Sequence, residues 1–251
     1  IEHKKRMWFR RVSLAVASAA AVVCLILGSV SYIRYIDRQQ ITYLEASTSY
    51  GERKEIRLPD GTQLILNSCS RVCYPDRFAD KERRVELEGE GYFRVYHNEK
   101  QPFIVNTRHF DVRVLGTCFN VKSYSSDEVV SVDVESGKVQ VDLPEAMMRL
   151  RAKEQVLINT VSGEYNKRRE ERTMAVWRKG NLRFNSTPIH DVAKELERMY
   201  NCRITFAEGQ NFDNLISGEH DNKSLDAVLQ AVEYTSGIHY KRMGNMIQLY
   251  K

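Results

Sequence analysis

Enzyme signatures are missing from this chain. It has no H-E-x-x-H pair to seat a catalytic zinc, no G-x-S-x-G elbow, no P-loop and no G-x-G-x-x-G turn. Its six histidines, His3, His97, His109, His190, His220 and His239, fall at no ligand-like spacing. No catalytic residue, metal or cofactor is expected. Cysteine is sparse, with five in 251 residues. Cys69 and Cys73 tempt the eye, but residues four apart in a strand lie about 13 Å from each other, beyond the ~7 Å Cα limit for a bridge. One C-x-x-x-C without a matched second pair is also a weak zinc signal. These two, with Cys24, Cys118 and Cys202, are read as small buried hydrophobes. A basic folded surface is lacking too. Of 38 Lys and Arg, five fall in residues 1–11 beside one acid, which leaves 33 bases against 32 acids from Arg34 onward. That balance argues against nucleic-acid binding.

Long apolar runs are absent with one exception, Val12–Ile33, which holds 22 consecutive uncharged residues. At the helical rise such a run is about 33 Å long, enough to cross a hydrocarbon core of about 30 Å. A transmembrane helix is expected over 12–33. The basic flank at 1–11 puts the N-terminus in the cytoplasm and everything after Ile33 beyond the inner membrane, in the periplasm. A cleaved signal peptide is the alternative, since small residues such as Ala19–Ala21 occur in the run. The chain begins at Ile1 rather than Met, so a cytoplasmic segment is expected to precede it.

Beyond a linker at 34–50 the chain is mainly β. From Gly51 to about Thr160 apolar residues alternate with polar ones, as in Val130, Val132 and Val134 against Ser131, Asp133 and Glu135. Pro59-Asp60-Gly61 and Ser136-Gly137 supply turns between strands. Residues 51–162 are therefore expected to form an antiparallel β-sandwich or a rolled sheet. Glu164–Arg172 (EYNKRREER) has no apolar face and reads as a solvated linker, placed at 163–175, or an exposed strand edge. Residues 176–251 read as a small α+β sandwich, one sheet with two helices on one face. Thr187 and Pro188 start the first helix as N-cap and N1. Ser224 caps the second and Gly237 ends it.

Five runs in order carry a family resemblance: LPDGTQLILN at 58–67, R-x-V-x-L-x-G-E-x-Y-F from Arg84 to Phe93, PFIV at 102–105, VRVLGTCFNV at 112–121 and VDVESGKVQV at 132–141. Together they resemble the FecR family of membrane-spanning regulators, mostly anti-sigma factors of Gram-negative bacteria controlling iron and glycan uptake. W-x-x-G-x-L-x-F from Trp177 to Phe184, followed by PIHDVAKELERMYN, resembles the C-terminal domain that accompanies this module in Bacteroidetes. That domain is similar to the short N-terminal domain of secretins and TonB-dependent receptors. Arg151–Gln155 departs from the Pro-Gly-Glu-Gln type of turn usual in the family. The resemblance implies cell-surface signalling. The signalling domain of a TonB-dependent outer-membrane transporter would contact the exported part, and the cytoplasmic segment would control an extracytoplasmic-function sigma factor.

Two sets of residues are candidate sites. An open sheet edge in the second module, at Ile204, Thr205 and Phe206 or at Leu215, Ile216 and Ser217, could accept a strand from the transporter. The same residues could equally be internal strands. Gly116-Thr117 could cleave itself, the Thr hydroxyl attacking the preceding carbonyl before hydrolysis of the ester, as in some regulators of this type. A bulge or tight bend is the bland reading of that pair. Glu86, Glu88 and Glu90 alternate along one strand and read as a solvated face. Tyr92, Phe93, Phe103, Phe110 and Phe119 fall on inward parities, which favours core packing over the rival function, a membrane-anchored carbohydrate-binding or envelope scaffold module.

Overall fold

A computed structural model describes residues 25–32, 41–169, 171, 173–221 and 224–251. The chain divides into two units, Ile1–Thr42 and Tyr43–Lys251. In the first, residues 25–32 are helical with exposed side chains; the basic flank and the rest of the 12–33 span lie outside the described residues. Among the described residues no helix is long and apolar enough to cross a membrane.

The second unit opens with thirteen strands: β1 (Tyr43–Ser47), β2 (Lys54–Arg57), β3 (Gln63–Leu66), β4 (Arg71–Pro75), β5 (Arg83–Arg94), β6 (Phe103–Asn106), β7 (Asp111–Val114), β8 (Cys118–Ser123), β9 (Val129–Ser136), β10 (Lys138–Asp142), β11 (Met147–Arg151), β12 (Glu154–Asn159) and β13 (Tyr165–Arg169). All belong to one hydrogen-bonded sheet, whose main path runs β11-β10-β7-β6-β5-β8-β9-β12-β13. The 12-residue β5 rolls it. Its first half pairs with β4 and β6, its second with β3 and β8. The change of partners falls at Gly89, whose φ is +104° and where a Cβ would sit 2.4 Å from Ser70 Oγ, so only glycine fits.

Rolling brings the apolar faces of both leaves into one core. Val85, Val105, Val112, Val141 and Leu150 from one leaf meet Leu64, Phe93, Phe119, Val132 and Val156 from the other. Phe93 stacks on Phe119 at 5.2 Å between ring centroids. Each fully buried side chain of this kind contributes about 1.5–3 kcal/mol, which is why the alternation in the sequence specifies the roll. Of the five aromatics expected inside, Phe93, Phe103, Phe110 and Phe119 enter this core; Tyr92, next to Phe93 and so on the opposite parity, is buried instead on the other face of the sheet, where its hydroxyl donates to Glu135. Of the two readings of 164–172, the strand edge holds for Tyr165–Arg169, because β13 closes the sheet beyond β12.

The second module comprises a single 3-10 turn (Val176–Lys179), β14 (Leu182–Pro188), α1 (Ile189–Tyr200), β15 (Arg203–Phe206), β16 (Leu215–His220), α2 (Leu225–Ser236), β17 (His239–Met243) and β18 (Met246–Tyr250). Two expectations need correcting. The strands make two sheets rather than one: β14 pairs with β16, and β15-β18-β17 stand apart. Thr187 does not cap α1. Pro188 occupies the N-cap without a side-chain bond, and the Thr187 hydroxyl instead accepts from the Asn185 N–H at 3.1 Å inside a β14 bulge. Ser224 does cap α2, accepting from the Ala227 N–H at 3.3 Å, and Gly237 ends that helix in the left-handed conformation. The core gathers Val192, Leu196, Ile204, Leu229, Ile238 and Ile247.

Candidate functional site in the cleft between the modules

Helix α1 is buried on two sides. Ile189, Val192, Ala193 and Leu196 enter the core of its own module. The polar residues Asp191, Lys194, Glu195 and Arg198, at spacings of three and four, form a second stripe that docks on the β-module. The Asp191 carboxylate accepts from the backbone N–H groups of Glu128 and Val129, both at 3.0 Å. Lys194 Nζ donates to the Ser126 carbonyl. Lys122 Nζ meets Glu195 at 2.7 Å. Arg198 grips Asp127 through both terminal nitrogens, at 2.8 and 2.9 Å, and its guanidinium lies 3.8 Å from the Tyr124 ring centroid. Asp127 and Arg198 have side chains only 0% and 10% exposed. A buried pair so thoroughly satisfied adds little net stability, but removing one partner strands a charge.

The 3-10 turn adds a second clasp. Trp177 Nε1 donates to Asn120 Oδ1 at 3.2 Å, and the Trp177 carbonyl accepts from Arg53 at 2.6 Å. Arg178 lies over the Tyr92 ring at 3.7 Å.

Between these clasps lies a cavity of about 730 Å³. Its floor is the sheet face opposite the apolar core. Register places Tyr92, Asn120, Asp133, Gln155 and Arg168 in one row across β5-β8-β9-β12-β13. Glu90, Lys122, Ser131, Leu157 and Asn166 form the next row. Glu90 is where the sequence reading fails. Glu86 and Glu88 are solvent-exposed as expected, but Glu90, beyond the Gly89 bend, is 6% exposed. It accepts from Asn67 at 2.8 Å and from Asn120 at 2.9 Å. Burial, with Lys122 as the main opposing influence, pushes its carboxyl up to about 7. Asp133 is likewise driven up to about 6 by burial, against hydrogen bonds from Gln155 and Ser131. Burial works against the Lys122 ammonium, yet Glu195, Asp127 and Glu90 together hold its pKa above the ordinary lysine value. Nothing in the alternation of the strand marks this face as covered. The only sequence signal is that α1 carries a complementary stripe of charge.

The residues singled out from sequence lie elsewhere. Both proposed edge strands sit at sheet margins, since among the described residues β15 pairs only with β18 and β16 only with β14. The β15 edge is partly occupied, because the Ile204 N–H donates to Glu197 at 2.7 Å. Ile204 and Ile216 point into the core, Thr205 and Phe206 are half-buried, and Leu215 and Ser217 are exposed. Gly116 lies against His97, where a Cβ would meet His97 Cα at 2.6 Å. The buried Thr117 hydroxyl donates to the Lys138 carbonyl at 2.9 Å, and the register between β8 and β9 shifts at Cys118/Phe119. That close approach accounts for the glycine. All described cysteines are free; Cys202 is buried, while Cys69, Cys73 and Cys118 are half-buried rather than buried as expected. Among the described residues no group of His, Cys, Asp or Glu is arranged to hold a metal.

Comparisons fit this two-module body. The family profile described as FecR protein matches residues 45–140, and that described as FecR, C-terminal, matches residues 181–249. No functionally curated protein matches the chain. Two crystal structures from Parabacteroides distasonis, each of a protein assigned as an anti-sigma factor, are similar over most of the chain. One is 47% identical, covering 84% of this chain and 99% of its own with a TM-score of 0.82. The other is 48% identical, covering 83% and 99% with a TM-score of 0.81. The rolled β-module, the docked C-terminal module and these matches together make the chain a member of the FecR family of anti-sigma regulators.

Proposed function

We propose that this regulator is a single-pass inner-membrane transducer. The apolar run at 12–33 crosses the bilayer, the two modules stand in the periplasm, and a cytoplasmic segment ahead of the run acts on an extracytoplasmic-function sigma factor. The input is the signalling domain of a TonB-dependent outer-membrane transporter. The observation that carries this reading is the open margin of β16. Among the described residues it pairs on one side only, with β14, and presents the exposed Leu215 (64%) beside exposed Ser217. An unpaired strand edge can take up a partner strand through main-chain hydrogen bonds. The β15 margin serves less well, since Glu197 already occupies part of it.

Co-purification of the full chain with the cognate transporter, alongside a sigma-dependent reporter, tests this. Leu215→Asp and Leu215→Arg are expected to weaken capture and blunt induction while leaving the melting temperature close to that of the parent, since the Leu215 side chain is exposed. Unchanged capture by both variants overturns the β16 assignment. Protease treatment of spheroplasts that leaves a C-terminal epitope uncut overturns the topology.

A further inference from the structure

We propose that the cavity between the modules binds a neutral polyhydroxylated small molecule, a mono- or disaccharide held by both modules at once. Its volume of about 730 Å³ falls within the roughly 300–1,000 Å³ of small-molecule sites, which favour domain interfaces. This inference is independent of the transporter reading above.

The chemistry of the walls selects the ligand by elimination. A hydrocarbon ligand would cover the amides and carboxylates of the floor without meeting their remaining hydrogen-bonding capacity. An anion would meet, among the described residues, a wall richer in carboxylates than in cations, Glu90, Asp133, Glu164, Asp191 and Glu195 against Lys122, Arg168 and Arg183, with Lys122 already paired to Glu195 at 2.7 Å and Arg183 to Glu219 at 2.5 Å. The two buried carboxylates of the floor are screened by neutral groups, Glu90 by Asn67 and Asn120, Asp133 by Gln155 and Ser131. Hydroxyl groups, which both donate and accept, match that mixture. The floor is also held in place. Arg168 Nε donates to Gln155 Oε1, Gln155 donates to Asp133, and Ser131 donates to Asp133 at 3.2 Å. A guanidinium offers five N–H groups and a carboxylate roughly four acceptor positions, so planar groups fixed in this way keep capacity for ligand hydroxyls. Trp177, from the second module, contributes an aromatic wall whose indole N–H is already committed to Asn120. An aromatic wall suits the C–H face of a sugar ring.

The chain carries two tryptophans, Trp8 and Trp177. In full-length Trp8→Phe protein, held in a detergent without a sugar headgroup, emission therefore reports on Trp177 alone. The probes are maltose, cellobiose, lactose and xylobiose, with spermidine and inorganic phosphate as charged comparators. At least one disaccharide is expected to change the emission saturably. Asp133→Asn should weaken that binding roughly tenfold, as expected for one lost hydrogen bond to a charged group. Asn166→Ala, an exposed rim position that leaves the fold undisturbed, should weaken it by a smaller factor. Three results overturn the proposal: no saturable change with any disaccharide, a change that both variants leave intact, or tighter binding of spermidine or phosphate than of every sugar.

Discussion

Helices α1 and α2 have the same length, twelve residues, and each carries an aspartate in its first turn. Asp226 of α2 is exposed and pairs with Arg242 at 2.5 Å across the surface. Asp191 of α1 is 1% exposed and receives two backbone N–H groups of the other module. Both obey the dipole preference for acids at a helix N-terminus. Only one is a structural joint. Polarity on a helix face therefore says that the face needs hydrogen-bonding partners, not that water supplies them.

Breaking the joint sharpens the contrast. Arg198→Ala removes both guanidinium bonds from the buried Asp127 carboxylate and leaves it only the more distant Lys122, at 3.9 Å, so urea unfolding should show a loss of about 3 kcal/mol. The exposed helix offers no equivalent.

The next effect is in pH. The Glu90 carboxyl, raised by burial from 4.5 to about 7, keeps its proton in the folded state where the unfolded chain has lost it. Stability should therefore fall as pH rises from about 4.5 to about 7 and level off above, by an amount on the order of 3 kcal/mol. Asp133 adds a fall of the same sign between 3.8 and about 6. Glu90→Gln should flatten the upper part of this profile in denaturant midpoints measured across pH. An unchanged slope would place the titrating group elsewhere.

Asp191→Ala removes two charge-assisted bonds and orphans two backbone donors in the joint, and should lower stability by about 2 kcal/mol. Asp226→Ala, at the corresponding end of α2, loses a surface pair and a dipole contact and should change it by no more than about 0.5 kcal/mol in the same unfolding assay. Equal effects at the two aspartates would mean that the module contact adds nothing to the helix-end preference.

Much of the β-module is legible before folding. Val130, Val132 and Val134 can satisfy their side chains only by facing a core, and a one-residue slip would turn all of them outward. Glu90 is illegible for the converse reason. It keeps the parity of Glu86 and Glu88, but the bend at Gly89 and the arrival of α1 and Trp177 take its side chain out of water. The division of the second module's strands into two sheets was equally hidden, since each strand has the same local pattern whichever neighbour it finds.

Local chemistry along the chain settled which residues form strands and helices, where α2 starts and stops, and which face of each strand is apolar, because those choices rest on alternation, caps and turns within a few residues of each other. The roll of the sheet, the joint through Asp127 and Arg198, and the polar cavity it encloses were decided only by tertiary structure. A polar surface is equally content with water or with a matching partner, and only the folded chain brings residues 127 and 198 within hydrogen-bond reach, at 2.8 Å.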